Sequence, residues 1–259
     1  MKKKLVFIAV IVVAVAVFFA SLFFIPAVRE LFVKKITVGV ISYAPMSSDS
    51  GEGSWSGFDC SVATEIFEEL GYKVIFTEVT AENRAELLKS GKIDCYMSHP
   101  TNTENQDLIF SKSYVSSIQA TLYQNNSGVD LASSDELINY TCGVQKNSGN
   151  TVYLNKEYPE IKVSEFLTNA DTIAALENST VQIAVTDYFY ISSLFKNNPS
   201  FSDNYTSGIL LHNNLLCIAF NDNNPKLRDR VNERLTAMQS ADRIAYYESV
   251  YGLEDYLLR

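Results

Sequence analysis

Few side chains in this 259-residue chain could do chemistry, and they are scattered. There are two histidines, His99 and His212, and four cysteines, Cys60, Cys95, Cys142 and Cys217. The cysteines are not spaced as a zinc site or a redox pair. No nucleophile stands beside a base, and nothing asks for a metal or a cofactor. What remains is the chemistry of recognition. Asp187 ends an apolar run as Val185-Thr186-Asp187. A carboxylate at a strand-to-helix turn serves well as a helix N-cap. Ser148, with the backbone donors of Gly149 and Asn150, opens a helix and either binds an anion or only caps. Ser98, His99 and Thr101 come at the end of a strand, where their polar groups can cap the next turn. Pro100 beside His99 marks an ordered turn. Tyr43, in Tyr43-Ala44-Pro45, can pack its own loop. His212 reads as a plain loop histidine and Trp55 as surface packing.

The elements that must position these residues alternate between short apolar runs and amphipathic stretches. Ile36–Ser42 reads as a strand and 43–56 as a loop rich in Ser, Gly and Asp. Asp59 can cap a helix running to about Leu70, with Val62, Ala63, Ile66, Phe67 and Leu70 at helical spacing and Gly71 as its stop. Tyr72–Val79 is a strand, Ala81–Ser90 a helix closed by Gly91, and Lys92–Ser98 a strand. That order, β-α-β-α-β, implies a parallel sheet. It then recurs. Strands are expected at Val115–Tyr123, Thr141–Gln145, Lys162–Phe166, Val181–Val185 and Leu210–Phe220. Helices are expected at Ser134–Ile138, Ser148–Lys156, Ala170–Glu177, Tyr188–Phe195, Pro225–Met238 and Ala241–Tyr251. Cys95, Cys142 and Cys217 sit inside apolar strands, so the thiols read as buried and free.

Charge and hydropathy divide the chain in two. From Leu5 to Ile25 every residue but Ser21 is apolar, with Lys2, Lys3 and Lys4 before and Arg29, Lys34 and Lys35 after. Twenty-one helical residues reach about 30 Å, the thickness of a bilayer core. This is longer than the ~7–15-residue apolar region of a cleaved signal, so residues 1–35 are expected to anchor the chain as a transmembrane segment; a cleaved signal is the other reading. The lysine triplet keeps the N-terminus inside and places the remainder outside the cytoplasm. Six of the 21 basic and one of the 30 acidic residues fall in 1–35, leaving 15 and 29, a net charge of −14 on the rest. So acidic a surface excludes a general nucleic-acid binder.

The order of motifs resembles the bacterial extracellular solute-binding proteins of family 3, the polar amino acid group of the type II periplasmic binding proteins. The pieces that carry it are VGVISYAPM from Val38, Gly57-Phe58-Asp59, LLKSGKIDCYMS at Leu87–Ser98, FSKSYV at Phe110–Val115, GVQKNSGNTVYL at Gly143–Leu154, AVTDYFY at Ala184–Tyr190 and NPKLRDRVNERL at Asn224–Leu235. Singly weak, they are strong in this order, and they cover nearly all of 36–252. The resemblance implies two α/β lobes joined by two crossing strands and closing on a ligand. Lobe 1 would take residues 36–118 and 214–259, and lobe 2 residues 119–213. It implies a small polar solute, an amino acid or an amine, bound by Tyr43, Ser98, His99, Thr101, Ser148 and Asp187, the last receiving an α-ammonium. The partner would be an ABC transporter permease or a membrane sensor. A scaffold without ligand, or less readily a dehydratase-like enzyme, are the other functions such a chain could have. One departure stands out. The family's arginine, which grips the α-carboxylate, belongs in 103–106, where this chain reads Thr-Glu-Asn-Gln. Arg84, Lys146 and His99 are the candidate substitutes, and a simple anionic ligand is the least expected.

Overall fold

The computed structural model describes residues 33–51, 53–100 and 107–258, with the side chain of His99 left out. The apolar run 5–25, Thr101 and the stretch 103–106 lie outside the described residues. Among the described residues, no helix is long and apolar enough to cross a membrane.

The first half is built as the hydrophobic pattern dictates. Strand β1 (Lys34–Val40) leads through a small hairpin, β2 (Ser48–Asp49) and β3 (Trp55–Ser56), into helix α1 (Phe58–Glu69). Strand β4 (Tyr72–Glu78), helix α2 (Arg84–Lys89) and strand β5 (Cys95–Pro100) follow. β1 pairs in parallel with β4 on one side and β5 on the other. Helix α1 lays Val62, Ala63, Ile66 and Phe67 on β1, all fully buried. Its N-cap is Gly57, at φ 128°, where a Cβ would lie 2.5 Å from the Met46 carbonyl oxygen. Asp59 therefore does not cap α1, as the sequence led one to expect; it sits inside the first turn. Helix α2 is shorter than its periodicity, because Thr80 and Asn83 close a turn on each other: each backbone amide donates to the other's side-chain oxygen (2.8 and 3.2 Å).

The second half repeats the scheme. After β6 (Leu108–Phe110) and β7 (Val115–Gln124) come a 3-10 turn (Ser134–Asn139), β8 (Thr141–Gln145), α3 (Gly149–Glu157), β9 (Lys162–Phe166), α4 (Asn169–Glu177), β10 (Ile183–Asp187), α5 (Tyr188–Asn197) and the short α6 (Phe201–Asn204). Strand β11 (Tyr205–Asn221) returns, and α7 (Pro225–Ser240), α8 (Arg243–Tyr251) and β12 (Leu257–Leu258) close the described chain. β10, β8 and β9 are parallel. The strand order is β4-β1-β5-β11-β7-β10-β8-β9.

Two α/β lobes result, with β7 and β11 running antiparallel between them. Their pairing extends from Tyr205 opposite Gln124 to Leu216 opposite Val115. β11 is 17 residues long and starts ahead of the strand expected from Leu210, because Tyr205–Ser207 continue the pairing with β7. The largest core gathers Ile36, Val38, Phe67, Ile218, Phe220 and Val231. Two others, around Leu122 and Ile173 and around Val144 and Ile183, hold the second lobe. All four cysteines are free and buried, Cys95, Cys142 and Cys217 in strands as expected and Cys60 in α1.

Candidate ligand-binding site

The carboxyl ends of the parallel strands of both lobes face one cavity of about 520 Å³. Ligands of open α/β sheets sit at that end, and this volume falls within the ~300–1,000 Å³ usual for small-molecule sites. Tyr43, just past β1, and Ser98, near the end of β5, line one wall; Ser148, before α3, and Asp187, at the end of β10, line the other.

Asp187 occupies the N-cap position of α5 but makes no side-chain cap bond. Its carboxylate turns inward instead. Oδ2 accepts from the Tyr43 hydroxyl at 2.9 Å, and Oδ1 accepts from Ser117 Oγ at 2.5 Å and Gln119 Nε2 at 2.6 Å. All three donors are neutral, so they orient the carboxylate without cancelling its charge. Burial, and then the charge of Asp187, push the Tyr43 phenol well above its usual range, so it remains a donor. The Tyr43 ring also touches Phe189 (5.3 Å) and Tyr190 (5.1 Å), which places an aromatic surface beside the carboxylate.

A chain of amides stands behind Asp187. Asn150 Nδ2 donates to Gln119 Oε1 at 2.7 Å, and Asn150 Oδ1 lies 2.9 Å from His212 Nε2. Because the Asn150 amide nitrogen is committed to Gln119, its oxygen must accept, so His212 carries its proton on Nε2. The imidazole stacks on Tyr153 with centroids 3.7 Å apart. Burial draws the His212 pKa down to about 4. His212 is thus a partly buried residue of β11, not the loop histidine its neighbourhood implied. Ser117, Gln119 and the Asn150 side chain were missed in the sequence. For Ser117 and Gln119 the signal was two polar residues two apart, on one face of a strand.

The opposite wall has its own buried network. Asp59 is 2% exposed. It accepts from Ser98 Oγ at 2.6 Å and from the Tyr114 hydroxyl at 2.7 Å, while the Ser98 amide donates to Tyr114 at 3.1 Å. Burial pushes the Asp59 carboxyl up to about 6, against the pull of those two hydroxyls. Ser98 adopts φ 56°, a strained backbone held by this network. Ser148 caps α3, accepting from the Thr151 amide at 3.3 Å. The His99 backbone pairs with Cys217 in β11. Trp55 packs on the core of the first lobe.

Polar contacts of two more residues join the walls. Lys146 Nζ lies 3.4 Å from Glu82 Oε1, an exposed pair. Arg84 Nη2 donates to the Asn147 carbonyl at 3.3 Å. Arg84 is 7% exposed, sits with its guanidinium 5.3 Å from the Tyr96 ring centre, and lines the cavity. Burial lowers its pKa.

Comparison with known proteins agrees with this geometry. The chain is 26% identical over 154 residues to a glutamine-binding protein of Geobacillus stearothermophilus, a match that spans 58% of each chain. It is 24% identical over 208 residues to an ABC transporter glutamine-binding protein of Bacillus subtilis, covering 77% of this chain and 72% of that one. Its fold is shared with an arginine transport system periplasmic binding protein of Legionella pneumophila at a TM-score of 0.74 and 19% identity, over 84% of this chain and 99% of that one. Residues 36–253 match the family model of the bacterial extracellular solute-binding proteins, family 3, and the chain belongs to that family.

Proposed function

We propose that this protein captures a small solute bearing an ammonium group, of the amino acid or amine class, between its lobes and hands it to an ABC-type permease. The observation that carries the reading is Asp187. It faces the cavity and is oriented from three sides by neutral donors, with no cationic side chain of the described residues paired to it. A buried ammonium needs such a partner, and charge-assisted bonds are the strong ones. Tyr43 and Tyr190 supply the ring faces that favour a cation. The relatives named above as glutamine- or arginine-binding proteins support the amino acid class. The reading is of capture and release, with no bond made or broken in the solute. Residues 36–118 and 214–259 form one jaw and 119–213 the other, while 1–35 tether the module at the outer face of the membrane.

Thermal unfolding of the full chain in mild detergent, with the twenty amino acids and a set of diamines, tests this. A ligand at 100 times its Kd adds about 2.7 kcal/mol to stability, so a binder shows as a clear rise in Tm. The rise should vanish in Asp187→Asn. If no compound in the panel raises the Tm, the capture reading falls and a scaffold that docks a membrane partner takes its place. Carbonate-washed membranes of expressing cells test the tether: the full chain should stay with the pellet, and a chain lacking residues 1–35 should not.

A further inference from the structure

Behind Asp187, residues from four elements form one line of hydrogen bonds that runs from the cavity into a crossing strand. Asp187 of β10 meets Gln119 of β7 at 2.6 Å, Gln119 meets Asn150 of α3 at 2.7 Å, and Asn150 meets His212 of β11 at 2.9 Å. Gln119 is fully buried and Asn150 nearly so, and a buried amide needs its partners from the protein. Asp187 gives the line a direction. An ionised carboxylate only accepts, so Gln119 must turn Nε2 to it and Oε1 to Asn150. Asn150 then turns Nδ2 to Gln119, with the Val185 carbonyl a longer second acceptor at 3.5 Å, and leaves Oδ1 to His212. His212 is the member whose proton can move, because a neutral imidazole carries it on either nitrogen. The Asn213 backbone also bonds the ring and pulls its pKa up against burial, so two acceptors compete for that proton.

The backbone of β11 shows how His212 is aimed. Leu210 stands opposite Ala120 and Asn213 opposite Ile118, so Leu211 and His212 together face Gln119 alone. This is a β-bulge, a device that re-aims a side chain. It lies in a crossing strand, opposite the amide that holds Asp187, and Asn150 bridges the two side chains. Tyr153, from the same helix as Asn150, stacks on the imidazole. One helix thus grips the ring by its face and by its edge.

We propose that His212 is a positioning residue for the ammonium site: its Nε2–H fixes the direction of the amide line, so that Gln119 offers Asp187 a donor and never its carbonyl oxygen. The proposal rests on the capture reading and adds to it a route from the crossing strands to the site. β7 supplies the amide that holds Asp187, and β11 supplies the residue that locks that amide.

Nitrogen NMR of the full chain in mild detergent, with isotope-labelled histidine, reads the proton directly. The chain has two histidines, and the signal lost in His212→Gln identifies the one wanted. The wild type should carry the proton on Nε2. Asp187→Asn, whose amide can meet Gln119 either way round, should move part of the population to Nδ1. A wild-type ring protonated on Nδ1, or a ring that does not respond to Asp187→Asn, overturns the proposal. Calorimetry then uses each of the twenty amino acids and diamines that raises the Tm. His212→Phe keeps a ring on Tyr153 but has no proton to give, and should weaken binding about 10-fold, the size of one lost hydrogen bond to a charged group. His212→Gln, which restores an N–H, should recover most of that. If His212→Phe binds as tightly as the wild type, or His212→Gln binds as weakly as His212→Phe, positioning is overturned and packing against Tyr153 is the residue's role. If His212→Phe fails to fold, the proton's response to Asp187→Asn decides alone. If the wild type binds no compound while that response is seen, the capture reading falls and the direction of the line stands.

Discussion

The two walls of the cleft each carry a buried carboxylate, and they use it in opposite ways. On the first lobe, Asp59 lies almost wholly out of solvent and accepts two hydroxyls, from residues 39 and 55 positions further along the chain. Burial outweighs those two bonds and raises its pKa to about 6. It ties the start of α1 to the end of β5 and to Tyr114. On the second lobe, Asp187 is held by three donors at the cavity surface, and a line of amides fixes the orientation of one of them. One carboxylate is an internal fastener and the other is presented. The difference lies in where the donors come from: both of those around Asp59 belong to its own lobe, while Tyr43 reaches Asp187 across the gap.

The largest expected effect tests that assignment. Asp187→Asn should weaken binding of an ammonium-bearing solute on the order of 100-fold or more, since truncating a charged partner in a buried pair costs roughly 2–5 kcal/mol. Its denaturation midpoint without ligand should move little. Asp59→Ala should do the reverse. It leaves the Tyr114 hydroxyl and Ser98 without an acceptor in a buried site, at a cost of about 3 kcal/mol, read by urea unfolding. If Asp59→Ala keeps its stability and loses only binding, the contrast between the walls is wrong.

The walls should also differ in the sign of their response to pH. Asp59 has a folded pKa raised from 3.8 to about 6. The native state therefore holds its proton more firmly, and this contribution to stability is present below pH 4 and lost as pH rises through 6. Two units correspond to about 3 kcal/mol at most. His212 has a folded pKa lowered from 6.5 to about 4. Its contribution is present above pH 6.5 and lost as pH falls through 4. Unfolding free energies at pH 4.5 and 7 should thus change in opposite directions: Asp59→Asn gains on wild type as pH rises, and His212→Gln gains as pH falls. Equal slopes in both variants would remove the distinction.

Smaller again is the amide line. Asn150→Leu orphans Gln119 Oε1 and the His212 N–H, and should cost about 1–3 kcal/mol of stability, together with a loss of affinity, as Asp187 loses a fixed donor. Least of all is Lys146→Ala. Its pair with Glu82 is exposed at both ends and long, so calorimetry should find affinity changed by less than about 1 kcal/mol. A larger loss would give Lys146 a part in recognition.

The frame of the molecule was legible in the sequence because hydrophobic periodicity is local. Lys162–Phe166 and Thr141–Gln145 were bounded to the residue, and Gly71 and Gly91 marked their turns through positive φ. Tyr43, Ser98, Ser148 and Asp187 fall on the same cavity because motifs of neighbouring residues located them. What was not legible is pairing at a distance. Asp59 read as a cap since an acid at the start of a helix usually is one. Its true partners, Ser98 and Tyr114, have no signature at that separation. Gln119 and Asn150 meet only after β7 and α3 are packed, and His212 read as a loop histidine although it falls inside the strand expected at Leu210–Phe220. At Gly208 a Cβ would lie 2.4 Å from Thr121 Oγ1, so the glycine marks close approach of two strands ahead of that expected start.

The four buried thiols have a consequence for handling and for life outside the cytoplasm. Burial pushes Cys60, Cys142 and Cys217 up to about 12 and Cys95 well above its usual range. The thiolate, which is the species that oxidises and alkylates, is therefore almost absent from the native protein at neutral pH. The folded chain can meet an oxidising medium with its sulfur behaving as hydrocarbon, with no crosslink to form or to mispair. Opening the fold releases all four at once. Alkylation by an added maleimide then becomes a clock for global opening, and a solute that locks the lobes onto their cores should slow it.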